Sequence, residues 1–435
     1  MSHQAVRVGL CGLGTVGSGV VNLFNSSTGV ISHRCGTRVE LTHIGARRDN
    51  SSCDTADYKV SRDIFAVAND PNIDVVIELI GGTDVARTLV ETALSQGKHV
   101  VTANKALIAA CGNELIALAE QKGCSLQFEA AVAGGIPIIK TLREALAGNH
   151  IEGLAGIING TGNFILTEMA SAGRAFEDVL AEAQALGYAE ADPTFDIDGT
   201  DAAHKLVILA ALAFGMPLQL DAPFTEGISL VAPEDLKFAE ELGYRIKHLG
   251  IARRQGERVD LRVHPTLIPA DKQIANVNGV LNSVMISADA VGELVLVGPG
   301  AGALPTASAV MGDVTDIARA LAAGHIPPAP ALGLPQAELE QLDIVPRGEV
   351  ETSWYLRLTV EDKPGVMADI TRLLGAEDIS IESLLQRSPQ AGVSVAQVVI
   401  ITDQASAIRL ERALVAIENL DSVQGPVAKL RVEEF

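Results

Sequence analysis

The stretch VGLCGLGTVGSGVVNLF, residues 8–24, limits the possible folds more than any other part of the chain. A short apolar run ends in glycines and passes directly into a segment of 3.6-residue periodicity, so a buried strand turns straight into a helix. Gly12, Gly14 and Gly17 form GxGxxG at that junction, the setting in which this pattern marks a dinucleotide site. The first glycine permits the turn, Gly14 admits a pyrophosphate to the backbone, and Gly17 lets the helix pack close. Thr15 and Val16 then lie where free helix amides face the anion.

Apolar runs at 39–46, 74–80, 98–102 and 125–130, separated by helical stretches such as 83–96 and 107–122, extend the pattern into alternating strands and helices. That alternation predicts a doubly wound parallel sheet, a Rossmann domain over residues 1–135. The second strand ends IGARRDN, where an NAD enzyme places an acid for the ribose. Arg47 and Arg48 arrive first and suit a 2′-phosphate, which favours NADP; Asp49 follows, so NAD stays open.

Past residue 136 the pattern mixes: helices at 138–147, 164–172, 176–186 and 307–322, strands at 154–158, 245–252, 258–265 and 292–298. A central α+β unit over 136–324 is expected to carry substrate and to join subunits. Pro327, Pro328, Pro330, Pro335 and Pro346 mark 325–350 as a stiff connector that lets the last unit move separately. Residues 351–435 read strand, helix, strand, strand, helix, strand, a βαββαβ unit.

DPTFDIDGTDAAHKLVILAALAFG, residues 192–215, sets Asp192, Asp196, Asp198 and Asp201 before a lysine in an oily run. A helix over 201–214, capped near 198–200 and stopped by Gly215, puts Asp201 and Lys205 at i and i+4 on one face. Alone, such a pair is also an ordinary surface ion pair worth a few tenths of a kcal/mol, roughly. With four aspartates beside it and a dinucleotide loop in the same chain, it points to proton transfer by a poorly hydrated amine. VTANKALI, residues 101–108, adds Asn104 and Lys105 just past the fourth strand, at the edge where ligands enter an open parallel sheet.

A formal charge of −21 argues against nucleic acid or anionic membrane as partner. No run reaches the ~18 apolar residues of a membrane span. The five cysteines form no CxxC pair and read as reduced thiols, so a cytoplasmic location is expected.

Together these stretches resemble homoserine dehydrogenase over nearly the whole chain. The resemblance rests on GLGTVG, VVIELIGG (75–82), VTANKALI, FEAAVAGGIPII (128–139), IINGTGNFIL (157–166), LGYAEADPTFDIDGTDAAHKL (186–206) and GPGAG (298–302). LTVEDKPGVMADIT (358–371) resembles an ACT domain, a small amino-acid-sensing module.

The resemblance implies reduction of L-aspartate 4-semialdehyde to L-homoserine with NAD(P)H, toward threonine and methionine. Lys205 would be the proton donor, positioned by Asp201, with Lys105 helping to hold cofactor and substrate. Glu190 would bind the substrate ammonium, Asp196, Tyr188, Thr161 and Gly160 would line the pocket, and the Gly302 backbone would approach the nicotinamide. Glu129, Val132, Gly134 and Ile136 match a loop that binds a monovalent cation, usually Na+, through main-chain oxygens. A homodimer or homotetramer and threonine as effector of the ACT unit also follow from the resemblance. The rival readings are another NAD(P)-dependent amino-acid dehydrogenase, or a non-catalytic amino-acid sensor.

Overall fold

The computed structural model describes residues 5–327, 329–387 and 394–435; Pro328 of the connector lies outside them. Six parallel strands open the chain: β1 Val6–Cys11, β2 Val39–Gly45, β3 Lys59–Ser61, β4 Val75–Glu78, β5 His99–Thr102 and β6 Leu126–Gln127. Their order is β3-β2-β1-β4-β5-β6, the doubly wound arrangement, with the sheet reversing direction of growth between β1 and β4. β1, β4 and β5 are almost wholly buried, because helices cover both faces. Cys11, Glu78 and Thr102 end these strands side by side and define the ligand edge.

Two details of this region differ from the sequence expectation. The strand expected at 125–130 is only Leu126–Gln127, and Glu129–Ala131 turns into a 3-10 helix. The helix expected at 307–322 is Ala303–Ala322, and it packs back onto the first unit. Val310, Val314 and Ile317 share one core with Val20, Val21 and Phe24 of the helix Thr15–Cys35. Small residues make the approach possible, since a Cβ on Gly19 would meet Ala303 O at 2.4 Å.

The second sheet has twelve strands, with main order β12-β11-β7-β9-β10-β18-β14-β16-β15. β7 is Ile151–Ile157, β8 Phe224–Thr225, β9 Tyr244–Gln255, β10 Arg258–Pro269, β11 Leu281–Ala288 and β12 Gly292–Pro299. β13 (Asp343–Ile344) comes from the connector and pairs with β10. β14 Glu351–Glu361, β15 Ile381–Gln386, β16 Val395–Thr402, β17 Ala405–Ser406 and β18 Ala428–Val432 complete it. With helices Val366–Ala376 and Ala407–Glu418, the C-terminal segment has the expected βαββαβ order.

The expectation of a separately moving last unit is corrected here. β18 lies parallel to β10, pairing Thr266 with Arg431 and Leu267 with Val432, so one sheet runs through both units. Tyr355, Val399, Ile401 and Val432 enter one core with Phe164, Ile228 and Phe238. Asp235 accepts from Tyr355 Oη at 2.9 Å and from Arg357 Nε at 2.6 Å across the same boundary. The prolines stiffen the connector, but strand pairing decides how the units join.

Candidate active site

The dinucleotide side of the site is built from glycines at the sheet edge. Gly12 has φ +104°, and a Cβ there would fall 2.4 Å from Leu79 O of the neighbouring strand end. A Cβ on Gly17 would fall 2.1 Å from Gly12 O, so the turn closes only around glycine. A Cβ on Gly14 would meet nothing within 4 Å beyond its own turn of chain among the described residues. That glycine caps the helix Thr15–Cys35 with no side-chain hydrogen bond, and leaves the first amides open to an anion. The loop therefore fits a dinucleotide, tight where the chain crosses itself and open where a pyrophosphate would lie.

Arg47 and Arg48 are exposed and line a cavity of about 690 Å³ with Gly12 and Gly14. Neither forms an ion pair among the described residues. Asp49, the acid that competes with them in the sequence, is bound by Arg62 Nη2 at 2.8 Å. The far wall is held by Glu78, whose buried carboxylate accepts from Thr102 Oγ1 at 2.6 Å and from Ile80 N at 2.8 Å.

The second half of the site reaches this edge through two helix starts. Asn104 Oδ1 accepts from Leu107 N at 3.1 Å and its amide donates to Gly82 O at 2.6 Å, which fixes the start of the helix Lys105–Lys122. Lys105 leaves that first turn and meets Asp201 Oδ1 at 2.9 Å. Asp201 opens the helix Thr200–Phe214, begun by Gly199 at φ +92° and by Asp198, whose carboxylate accepts from Thr200 N at 2.9 Å. Lys205, one turn on, donates to Asp201 Oδ2 at 2.5 Å and to Ile158 O at 2.6 Å.

One carboxylate thus bridges two ammonium groups from two units. Side-chain exposure grades across them: 5% for Asp201, 12% for Lys205 and 32% for Lys105, so the acid is the interior anchor. Burial by itself would raise the Asp201 carboxyl; Lys205 and Lys105 outweigh it and hold the group far below the usual carboxylate range. For His204 beside them, burial and then the Lys105 charge lower the imidazole, and Asp201 offsets part of that fall.

Asn159 is a member of the site that the sequence pattern did not single out. Its Nδ2 donates to Asp201 Oδ2 at 2.8 Å and to Asp196 Oδ1 at 2.7 Å, while its Oδ1 accepts from Gly162 N at 2.7 Å. A cap asparagine thereby holds two acids at fixed separation; the only sequence signal was an Asn opening an NGTGN turn. Burial raises Asp196, and the Asn159 bond offsets part of that rise.

The other expected pocket residues range from buried Thr161 to exposed Glu190. A Cβ on Gly160 would meet Val280 O at 2.8 Å, so close packing accounts for that glycine. Thr161 donates to Tyr188 O at 2.6 Å, and the half-exposed Tyr188 ring stands edge-on to Phe164 at 5.2 Å. Glu190 is exposed; its carbonyl accepts from Gln184, and its carboxylate has no partner among the described residues. Gly302, at φ +119°, starts the helix that packs on the dinucleotide helix.

In the loop matched to a cation site, the Glu129 carboxylate is taken by Ile139 N at 2.9 Å and Lys140 N at 2.7 Å. Ile136 O accepts from Ile138 N at 2.7 Å, whereas the Val132 and Gly134 carbonyls accept no hydrogen bond among the described residues. A hard cation binds such oxygens, so the loop is chemically suited to one. Gly134 also seats the GPGAG turn, since its Cβ would fall 2.5 Å from Gly300 O.

Comparison with known proteins gives a consistent result. Residues 137–315 match the family model described as homoserine dehydrogenase, residues 12–129 the homoserine dehydrogenase NAD binding domain, and residues 354–419 the ACT domain. A homoserine dehydrogenase of Pseudomonas aeruginosa is 52% identical over 432 residues, covering 99% of this chain and 100% of that one. The crystal structure of a homoserine dehydrogenase from Thiobacillus denitrificans is similar with a TM-score of 0.93 at 48% identity, covering 99% of each chain. A hyperthermophilic archaeal homoserine dehydrogenase in complex with NADPH is similar with a TM-score of 0.61 at 27% identity, over 72% of this chain and 97% of that one.

Proposed function

The chain belongs to the homoserine dehydrogenase family of NAD(P)-dependent oxidoreductases, and from that premise we propose that Lys205 supplies the proton when L-aspartate 4-semialdehyde is reduced to L-homoserine. The observation that carries this reading is the Asp201 carboxylate held between Lys205 and Lys105 at the ligand edge of the parallel sheet. A bound nicotinamide dinucleotide supplies the hydride to the carbonyl carbon. The Lys205 ammonium gives its proton to the carbonyl oxygen as that oxygen gains charge, and recovers one from solvent afterwards. Asp201 keeps the amine in place and balances its charge before transfer. Lys105 stands nearer solvent, beside the cleft, and holds the reacting groups together. Asn159 bridges Asp196 and Asp201 through one amide and so fixes the second acid beside the lysine pair.

Glu190 is the acid free to meet the substrate ammonium, with Tyr188, Thr161 and Gly160 closing the rim. We infer NADP preference from Arg47 and Arg48, which face the cavity while Arg62 occupies Asp49. A sodium ion at the main-chain oxygens of Glu129, Val132, Gly134 and Ile136 would tie this loop to the GPGAG turn and Gly302. Threonine feedback through residues 351–435, a homodimer or homotetramer joined through residues 136–324, a cytoplasmic location and a place in threonine and methionine synthesis complete the reading. Of the described residues, no helix is long and apolar enough to cross a membrane.

Initial rates with the semialdehyde and each coenzyme, with and without threonine, test it. Oxidation of NADPH faster than NADH, slowed by millimolar threonine, is expected. Turnover only with a different oxo acid would replace the substrate, and no turnover with any would favour a sensor.

A further inference from the structure

Where the connector and the C-terminal unit meet the central sheet, the chain frames a partly open cavity of about 240 Å³ that shares no lining residue with the dinucleotide loop. Asp260 and Arg262 of β10, Phe224, Arg347 of the connector and Arg431 of β18 line it. Arg262 is 2% exposed and Arg431 4%, so both guanidinium groups are interior. A buried cation is costly unless its N–H groups find acceptors. Arg431 Nη1 donates to Glu226 at 2.5 Å, while its Nε and Nη2 have no acceptor among the described residues. Arg262 Nε donates to Asp260 at 2.8 Å, its Nη1 is ion-paired with Glu433 at 2.8 Å and lies 3.4 Å from His264 Nε2, and its Nη2 likewise has no acceptor among the described residues.

The cluster is also packed against aromatic rings. Arg431 is stacked between Phe224, 4.9 Å from its ring centroid, and Trp354, at 4.7 Å; Trp354 is the only tryptophan in the chain. Arg347 lies over the other approach to Phe224 at 4.1 Å. Fixed guanidinium forks with spare donors on the wall of a small cavity suit a carboxylate. Asp260 and Asp221 put negative charge on the same wall, opposite in sign and suited to an ammonium.

We propose that this cavity binds a small α-amino acid, its carboxylate taken by Arg431 and Arg347 and its ammonium by Asp260 and Asp221. The occupant competes with Glu226, which now holds both arginines, Arg431 at 2.5 Å and Arg347 at 3.4 Å. Glu226 belongs to a segment wedged against the turn at Ile197 and Asp198, just before the helix that carries Lys205. Ile228 N donates to Ile197 O at 3.0 Å, and a Cβ on Gly227 would fall 2.5 Å from that same oxygen. Ile197 and Asp198 lead directly into the helix carrying Asp201 and Lys205. Release of Glu226 therefore reaches the catalytic carboxylate through two adjoining contacts.

The test uses the full chain without coenzyme, titrated with the standard α-amino acids singly, with threoninol as a carboxylate-free control, and with inorganic phosphate. At least one amino acid is expected to raise the unfolding midpoint, as any ligand of the native state does; threoninol is expected to have no effect. In Arg347→Gln, a change at a half-exposed residue, affinity for that amino acid falls about tenfold or more while turnover without it is unchanged. Arg431→Lys, which keeps the charge but loses the fork, gives the same loss. Hydrogen exchange at residues 224–228 changes on binding to the parent chain only. Absence of amino-acid binding at millimolar concentration, or binding undiminished in both variants, overturns the proposal. A response to phosphate alone overturns the amino-acid assignment. Threonine inhibition that persists undiminished in Arg347→Gln would leave the feedback reading standing and remove this cavity from it.

Discussion

On the dinucleotide side of the cleft, Gly12, Gly14 and Gly17 work through the volume they leave empty; across it, Lys205, Lys105 and Asn159 work through charges and donors each held within 3 Å of the Asp201 carboxylate. The first half is specified locally, since each glycine clears a neighbour on its own loop or on the adjoining strand end. The second is assembled from parts far apart in the chain, with Lys105 and Lys205 a hundred residues from each other yet on one carboxylate. A change in the glycine half should therefore act on shape and affinity, and a change in the charged half on chemical rate.

The largest expected effect sharpens that division. Lys205→Ala should lower turnover by about two to four decades with NADPH affinity nearly intact. Turnover close to normal would take the lysine out of the mechanism and leave the charged half merely structural.

Next come the glycines, which separate fold from binding. Gly12→Ala, forced to φ +104° against Leu79 O, should cost about 1–3 kcal/mol of stability. Gly14→Ala meets no protein atom, so its unfolding midpoint should match the parent while dinucleotide affinity drops about tenfold or more, as steric loss of a pyrophosphate contact predicts. Equal thermal shifts for the two would break the distinction.

Replacing Arg47 and Arg48 by serine should shrink the NADPH over NADH ratio of kcat/KM by about tenfold, the worth of one charge-assisted phosphate contact. An unchanged ratio would make these arginines ordinary surface.

Lys247 provides the smallest and most specific contrast. It is buried more deeply than Lys205 but pairs with no carboxylate among the described residues, donating instead to Val277 O at 2.6 Å and Asn278 Oδ1 at 2.9 Å. Burial pushes its ammonium down to about 8 from an ordinary value of 10.5. The unfolded chain then holds more protons than the folded one between those two values, so this group's contribution to stability rises as pH climbs from about 8 to 10.5. Urea unfolding at both ends of that window should show the rise in the parent and its loss in Lys247→Met; the same slope in both would locate the titration elsewhere.

The sequence was most legible where function depends on residues adjacent along the chain. GxGxxG between strand and helix, and an aspartate four residues before a lysine, are short-range geometry that periodicity alone converts into structure. Lys105 was visible as a strand-end lysine, but its partner was not, because nothing in VTANKALI encodes contact with a helix from another unit. Asn159 was hidden for the same reason, its two acids lying 37 and 42 residues away. The strand Leu281–Ala288 escaped notice because Asn282, Ser283 and Ser287 interrupt its apolar run, and pairing on both sides with β7 and β12 makes it regular. The helix Ala303–Ala322 was found, but not the core it serves, which only packing reveals.

The pairing of β18 with β10 also bears on how such an enzyme can be taken apart. A chain cut at the connector would strip a neighbour from β10, baring a row of amides and carbonyls, and would uncover Phe164, Phe238 and Leu267 once Tyr355 and Val432 are gone. The product would be a sticky fragment rather than a smaller working catalyst, so the role of the C-terminal unit has to be probed by single substitutions that keep the sheet whole.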